Sequence, residues 1–123
     1  MGLKTDLPER AGLGISLWMN KPDSSLDTYR AQIDALDERI VALLCERFGI
    51  VRAVGEWKAR HGLPVVQSAR AEQVKARVAA LAAKQGLDGE LLRDLYTRII
   101  DHAHILETEI GKKMKESKPG DGE

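Results

Sequence analysis

Four basic residues stand where a polyanion can be gripped: Arg30, Arg47, Lys58 and Arg70. Arg47 and Lys58 are 11 residues apart, which on a helix is only about 20° of rotation around the axis. Both adjoin an apolar stripe and not the outer face of their helix. Arg30 lies 17 residues before Arg47, about 100° away on the same repeat. These two do not readily converge from one helix; they converge if Arg30 reaches across from a partner helix. Arg70 opens the next helix, after a loop that folds it back toward Lys58. Taken singly, each reads as a solvated or salt-bridging side chain, as most Lys and Arg are. Together, with few carboxylates in register to neutralise them, they invite a ligand carrying more than one negative charge.

Other reactive residue types carry less. Cys45 is the only cysteine, so no intrachain disulfide forms. It sits in the run Val41-Ala42-Leu43-Leu44-Cys45 and reads as a small buried hydrophobe, since no local base or anion-stabilising group would make it a catalytic thiol. His102 and His104 are two apart on a helix, hence about 200° apart around it, and do not jointly ligate a metal. His61 lies beside a helix end, where it interacts with terminal carbonyls. Trp57 reads as a packing residue and not a stacking platform, and Trp18 covers a patch or belongs to an unstructured stretch. No metal site is expected.

The elements that position these residues follow from composition and period. With 123 residues, 43% hydrophobic and 31% charged, one globular domain is expected. The formal net charge is +0, which argues against a nucleic-acid or polybasic membrane partner, because both need a basic excess. No apolar run approaches the roughly 18 residues of a membrane span. Asp6 and Glu9 precede the mildly apolar Leu13 to Met19 and no small-residue cleavage site follows, which argues against a signal peptide and leaves the cytoplasm as the expected compartment.

The helical period appears three times. Ser24 or Ser25 caps a first helix, with Asp27 in its first turn. Ile33, Leu36, Ile40, Leu43, Leu44, Val51 and Val54 then form a 3.6-residue stripe that runs until Gly62-Leu63-Pro64. About 36 residues make such a helix roughly 54 Å long, against a radius of gyration of about 13 Å for a compact 100-residue domain. The rest of the chain is too short to cover it, and a second copy of the same helix is the simplest partner. A second helix starts after Ser68 and runs through Val74, Val78 and Leu81 to Gln85, with Gly86 closing it. A third starts at Asp88, carries Leu91, Leu92, Leu95, Ile99, Leu106 and Ile110, and stops at Gly111. No alternating strand pattern is present. The expected fold is all-α, three helices per chain with a very long first helix, in an intertwined homodimer. Residues 1–24 read as a poorly ordered extension, 25–111 as the helical domain and 112–123 as a flexible charged tail.

Laid end to end, several stretches resemble one family. Tyr29-Arg30-Ala31-Gln32-Ile33-Asp34-Ala35-Leu36-Asp37 looks like the opening of the all-helical (AroQ-type) chorismate mutases. Leu43-Leu44-Cys45-Glu46-Arg47, Val54-Gly55-Glu56-Trp57-Lys58, Leu63-Pro64-Val65 with Arg70, Gly86-Leu87-Asp88 and Ile99-Ile100 continue the match over about residues 26 to 110. Each motif alone is weak; all at the right spacings are a strong signal. The resemblance implies an interlocked dimer in which Arg30 serves the neighbour's pocket. It implies that Arg47 and Arg70 bind substrate carboxylates and that Lys58 donates to the ether oxygen of the breaking C–O bond. The reaction implied is the pericyclic rearrangement of chorismate to prephenate, a step of aromatic amino acid biosynthesis by the shikimate route, with no nucleophile, metal or cofactor.

The match has departures. A family Gln that also donates to the ether oxygen aligns with Glu107, which can donate only when protonated, so activity that falls as pH rises is expected. A family Ser aligns with Ala103. A family Glu that reads the ring's C4 hydroxyl aligns with Ala71, and a nearby Asp with Gln67. Gln67 can accept from a hydroxyl or an ammonium, and Glu72 can swing in. The Val66-Gln67-Ser68 loop with Glu107 resembles the 4-amino-4-deoxychorismate mutase branch, a close rival reading. Isochorismate–pyruvate lyase, on the same fold, and a catalytically idle helical dimer serving regulation or assembly are the further alternatives.

Overall fold

The computed structural model describes residues 25–117. The expected N-terminal extension, Trp18 and the last residues of the expected tail lie outside that range. Three helices follow one another: α1 (Leu26–Arg60), α2 (Ser68–Lys84) and α3 (Gly89–Glu116). There is no strand among the described residues, as the missing alternation predicts. None of these helices is long and apolar enough to cross a membrane.

The helix ends show why the chain breaks where it does. The Ser25 hydroxyl accepts from the Thr28 amide at 3.2 Å, satisfying one of the free N–H groups of the first turn, and Asp27 complements the dipole there. At the other end Gly62 takes φ +66°, and the Leu63 amide donates back to the Lys58 carbonyl at 2.9 Å. The second break repeats this: Gly86 has φ +82° and the Leu87 amide donates to Ala82 at 2.9 Å. Both are left-handed closures that a side-chain-bearing residue adopts at a cost. Asp88 then caps α3, accepting from the Glu90 amide at 2.9 Å.

Two ends differ from expectation. Helix α2 already includes Ser68, and its capping position is Gln67, in extended backbone with no side-chain cap; the Gln67 side-chain Nε2 instead donates to the Pro64 carbonyl at 3.3 Å. Helix α3 continues through Gly111 to Glu116. A helical glycine costs only about 1 kcal/mol relative to Ala, and Lys113 and Lys115 in the last turn favour continuation by facing the negative end of the dipole.

The chain forms two compact units, one up to Leu43 and one from Leu44 onward. In the first, the stripe of α1 is largely exposed in the single chain: Ile33 is 56%, Ile40 54% and Leu43 61% accessible. In the second, α2 packs on α3 around Val74, Val78 and Ile100, with Ala71, Leu92 and Tyr96 against them. Small residues allow the approach: a Cβ added at Gly89 would meet the Ala79 carbonyl at 3.0 Å. Cys45, expected inside, is exposed. A run of five apolar residues covers every face of a helix, so membership of the run does not decide which member is packed.

Candidate active site

The C-terminal stretch of α1, the loop after it, α2 and α3 enclose a cavity of about 380 Å³ within the second unit. Arg47, Lys58, Gln67, Arg70 and Glu107 all line it. Five of the six candidate residues, named from spacing or from the family resemblance, thus line one pocket. The sixth, Arg30, belongs to the N-terminal unit, where its guanidinium stands 4.0 Å from Asp27 and is exposed.

Lys58 is the most constrained of these groups. Its ammonium donates to Glu107 Oε1 and to the Val65 carbonyl, each at 2.8 Å. The two side chains are 15% and 6% accessible. An ammonium has three N–H donors, so two hold it in place and one remains for a ligand oxygen. Gly55 makes this pairing reachable, since a Cβ there would stand 3.1 Å from the Glu107 Cα. The sequence alone did not foresee this ion pair; the partners are 49 residues apart and nothing local links them.

The guanidiniums are held more loosely. Arg47 lies with its Cζ 5.4 Å from the Tyr96 ring centroid, a cation–π contact that orients the planar group without using its donors. Arg70, exposed at the start of α2, donates to Gln73 Oε1 at 2.6 Å. Between these charges the wall is apolar, formed by Ile50, Val51, Val54, Val74 and Ile100 with the methyl groups of Ala71 and Ala103. Glu72, expected to swing toward the pocket, is engaged with Lys75 at 3.8 Å and Arg93 at 3.3 Å and does not line it.

A second cavity, about 720 Å³, lies beyond the Lys58–Glu107 pair and is lined by Arg60, Lys112 and Lys115 among others. It is the larger, yet Arg47, Gln67 and Arg70 are not in its wall. His61 behaves as expected: its Nδ1 is 2.8 Å from the Trp57 carbonyl oxygen. Trp57 departs from expectation. It is 48% exposed and stacks on the His61 ring at 3.9 Å between centroids, the flat contact an indole makes when no core receives it. His104, set aside in the sequence because it pairs with no second histidine, lines the smaller cavity; its spacing of three residues from Glu107 was the available signal.

A helical protein whose pocket sets two guanidiniums and one ammonium around an apolar wall suits a small ligand that joins negative charge to an apolar body. Comparison with known proteins places the chain more narrowly. Residues 29–108 match the family described as chorismate mutase type II, and the chain belongs to that family. A 4-amino-4-deoxychorismate mutase of Streptomyces pristinaespiralis is 39% identical over 84 residues, which cover 68% of this chain and 65% of that protein. A 4-amino-4-deoxychorismate mutase of Streptomyces venezuelae is 38% identical over 77 residues, 63% of this chain and 75% of the relative. A chorismate mutase of Methanocaldococcus jannaschii is 26% identical over 78 residues, 63% of this chain and 79% of the relative. The chain therefore spans just under two thirds of the length of the first of these relatives.

Proposed function

We propose that this protein is a chorismate mutase working as a homodimer. The observation that carries the proposal is the Lys58 ammonium, fixed by Glu107 and Val65 with one donor unspent, in a pocket that also presents Arg47 and Arg70. In the rearrangement the ether C–O bond breaks while a C–C bond forms within the same molecule; nothing is transferred to or from the protein. Catalysis is therefore a matter of shape and charge. The guanidiniums grip the two carboxylates, for which their planar fork is suited, and the apolar wall presses the enolpyruvyl arm over the ring in the reactive diaxial shape. Lys58 offers its free donor to the ether oxygen as negative charge grows there, and no reorganisation is needed at that moment. Glu107 stands beside it and adds a second donor when protonated. Gln67 at the rim reads the C4 end of the ring.

The exposed stripe of α1 supports the dimer. A row of Ile33, Ile40 and Leu43 on one helix is the surface a second copy would cover, and in that arrangement Arg30 serves the neighbouring pocket. The protein would act in the cytoplasm. A second reading, 4-amino-4-deoxychorismate mutase, has its own support: two relatives of that name, and alanines at 71 and 103 in the wall.

The test is incubation of the purified protein with chorismate, 4-amino-4-deoxychorismate and isochorismate, with products separated by chromatography. Prephenate as the preferred product upholds the proposal. Preference for the amino substrate replaces it with the second reading, pyruvate from isochorismate makes the protein a lyase, and no turnover leaves a helical dimer that only binds.

A further inference from the structure

The hydrogen-bonding groups around the pocket are unequally committed. Lys58 donates to Glu107 and Val65, Arg70 to Gln73, and the Gln67 side-chain Nε2 to Pro64. His104 lines the same cavity and takes part in none of these bonds. It is half-buried on α3, beside the buried Ala103 and three residues before the buried Glu107, and that spacing puts His104 and Glu107 on one face. His102 points elsewhere, edge-on to Phe48 with the ring centroids 5.3 Å apart.

The pocket is also lopsided in what it can accept. Arg47, Lys58 and Arg70 are donors only. Ala71 and Ala103 contribute methyl groups. Glu107 has one carboxylate oxygen on Lys58, and Gln67 is exposed at the rim. A neutral imidazole has one unprotonated ring nitrogen able to accept, so on the inner wall His104 is an uncommitted acceptor one helical turn from the second carboxylate oxygen of Glu107.

Resting on the mutase reading of this pocket, we infer that His104 is a specificity-determining residue, whose imidazole accepts a hydrogen bond from the C4 substituent of a cyclohexadiene dicarboxylate. Hydroxyl and ammonium both donate to it. Hydrogen bonds from a charged donor are about twice as strong as neutral ones, so the acceptor matters more for a 4-amino ring than for a 4-hydroxy ring.

The experiment measures kcat and KM for chorismate and 4-amino-4-deoxychorismate with wild type, His104→Leu and His104→Gln, alongside calorimetric titration with prephenate, which keeps the C4 hydroxyl and both carboxylates. Removing the acceptor in His104→Leu should lower kcat/KM roughly threefold for the hydroxyl substrate and roughly tenfold or more for the amino substrate. The loss should lie mainly in KM, because the C4 contact is made equally in ground and transition states. Retaining an acceptor in His104→Gln should restore the ratio between substrates. Equal losses on both substrates, no loss on either, or failure of Gln to restore the ratio would overturn the inference while leaving the mutase reading intact. Prephenate binding without turnover would sink the mutase reading alone, and weaker prephenate binding by His104→Leu would then still uphold the C4 contact. Absence of both binding and turnover in wild type would overturn both.

Discussion

Gly55 of α1 lies directly against the backbone of Glu107 on α3: a Cβ at residue 55 would stand 3.1 Å from the Glu107 Cα and 3.2 Å from its Cγ. The nearer obstacle is main chain, which cannot rotate away as a side-chain tip would. The Lys58–Glu107 bond at 2.8 Å is built on this approach, three residues further along α1.

Gly55→Ala should therefore damage activity more than stability. Alanine in a helix gains roughly 0.5–1 kcal/mol over glycine, whereas overpacking typically costs about 1–3 kcal/mol. The net destabilisation expected is about 1 kcal/mol, read as a drop of a few degrees in Tm. Displacing Glu107 by a few tenths of an ångström loosens the partner that holds Lys58, and kcat should fall about tenfold, given that misplacement of 1 Å can cost 10²-fold. An unchanged kcat would show that the close approach does not set the geometry of the pair.

On the proposed mechanism Lys58→Ala removes the donor offered to the ether oxygen, and it strands the buried Glu107 carboxylate. Loss of one such donor typically costs about 2.7–4 kcal/mol, a fall of roughly 10²–10³-fold in kcat. The stranded Glu107 destabilises the fold as well, because an uncompensated buried charge is unfavourable. Combining Lys58→Ala with Glu107→Gln separates the two effects: Tm should recover while kcat should not. Recovery of kcat together with Tm would mean that Lys58 serves the fold and not the reaction.

Glu107 has two possible duties, and pH tells them apart. If it only orients Lys58, its carboxylate acts best ionised and Glu107→Gln lowers activity evenly across pH. If it also donates to the ether oxygen, it does so protonated; raising the pH then removes a donor and places a negative charge beside the oxygen that is gaining one. On that account kcat/KM of wild type falls as pH rises, while that of Glu107→Gln, whose amide donates at any pH, stays flat. Parallel profiles for the two proteins would leave Glu107 as an orienting group.

The sequence revealed the three helices because their signals are local. Ser25, Gly62, Gly86 and Asp88 act through bonds to residues within five positions, and the apolar period finds Val74, Val78 and Leu92 on the packed faces of α2 and α3, although Leu81, Leu91 and Leu95 of the same stripes are exposed in the single chain. Gly111 misled because a glycine after an apolar run looks the same whether it closes a helix in the left-handed region or sits inside one; Gly62 and Gly86 have positive φ, and α3 runs straight through Gly111. Pocket membership was legible for Arg47, Lys58, Gln67, Arg70 and Glu107 through spacing and resemblance. Pairing was not. That Lys58 spends a donor on Glu107, that Glu72 is drawn off by Arg93 and Lys75, and that His104 enters the wall all depend on how separate helices meet, which no window of sequence contains.

A mixing experiment tests whether Arg30 crosses to the neighbour in the proposed dimer. Arg30→Ala and Arg47→Ala should each be nearly inactive alone, since each removes a guanidinium from every pocket. In a mixed dimer, if Arg30 crosses to the neighbour, both lesions fall in one pocket and the other pocket is intact. Random reassociation makes about half the dimers mixed, so refolding the two variants together should restore about a quarter of wild-type activity. If Arg30 serves its own chain, every pocket in the mixture carries one lesion and nothing is regained. Ile40→Glu, placed on the exposed stripe of α1, supplies the control: buried against a second copy, the unpaired carboxylate should split the dimer in sedimentation and abolish activity with it. A fully active monomer would remove the need for any partner and return Arg30 to the solvent.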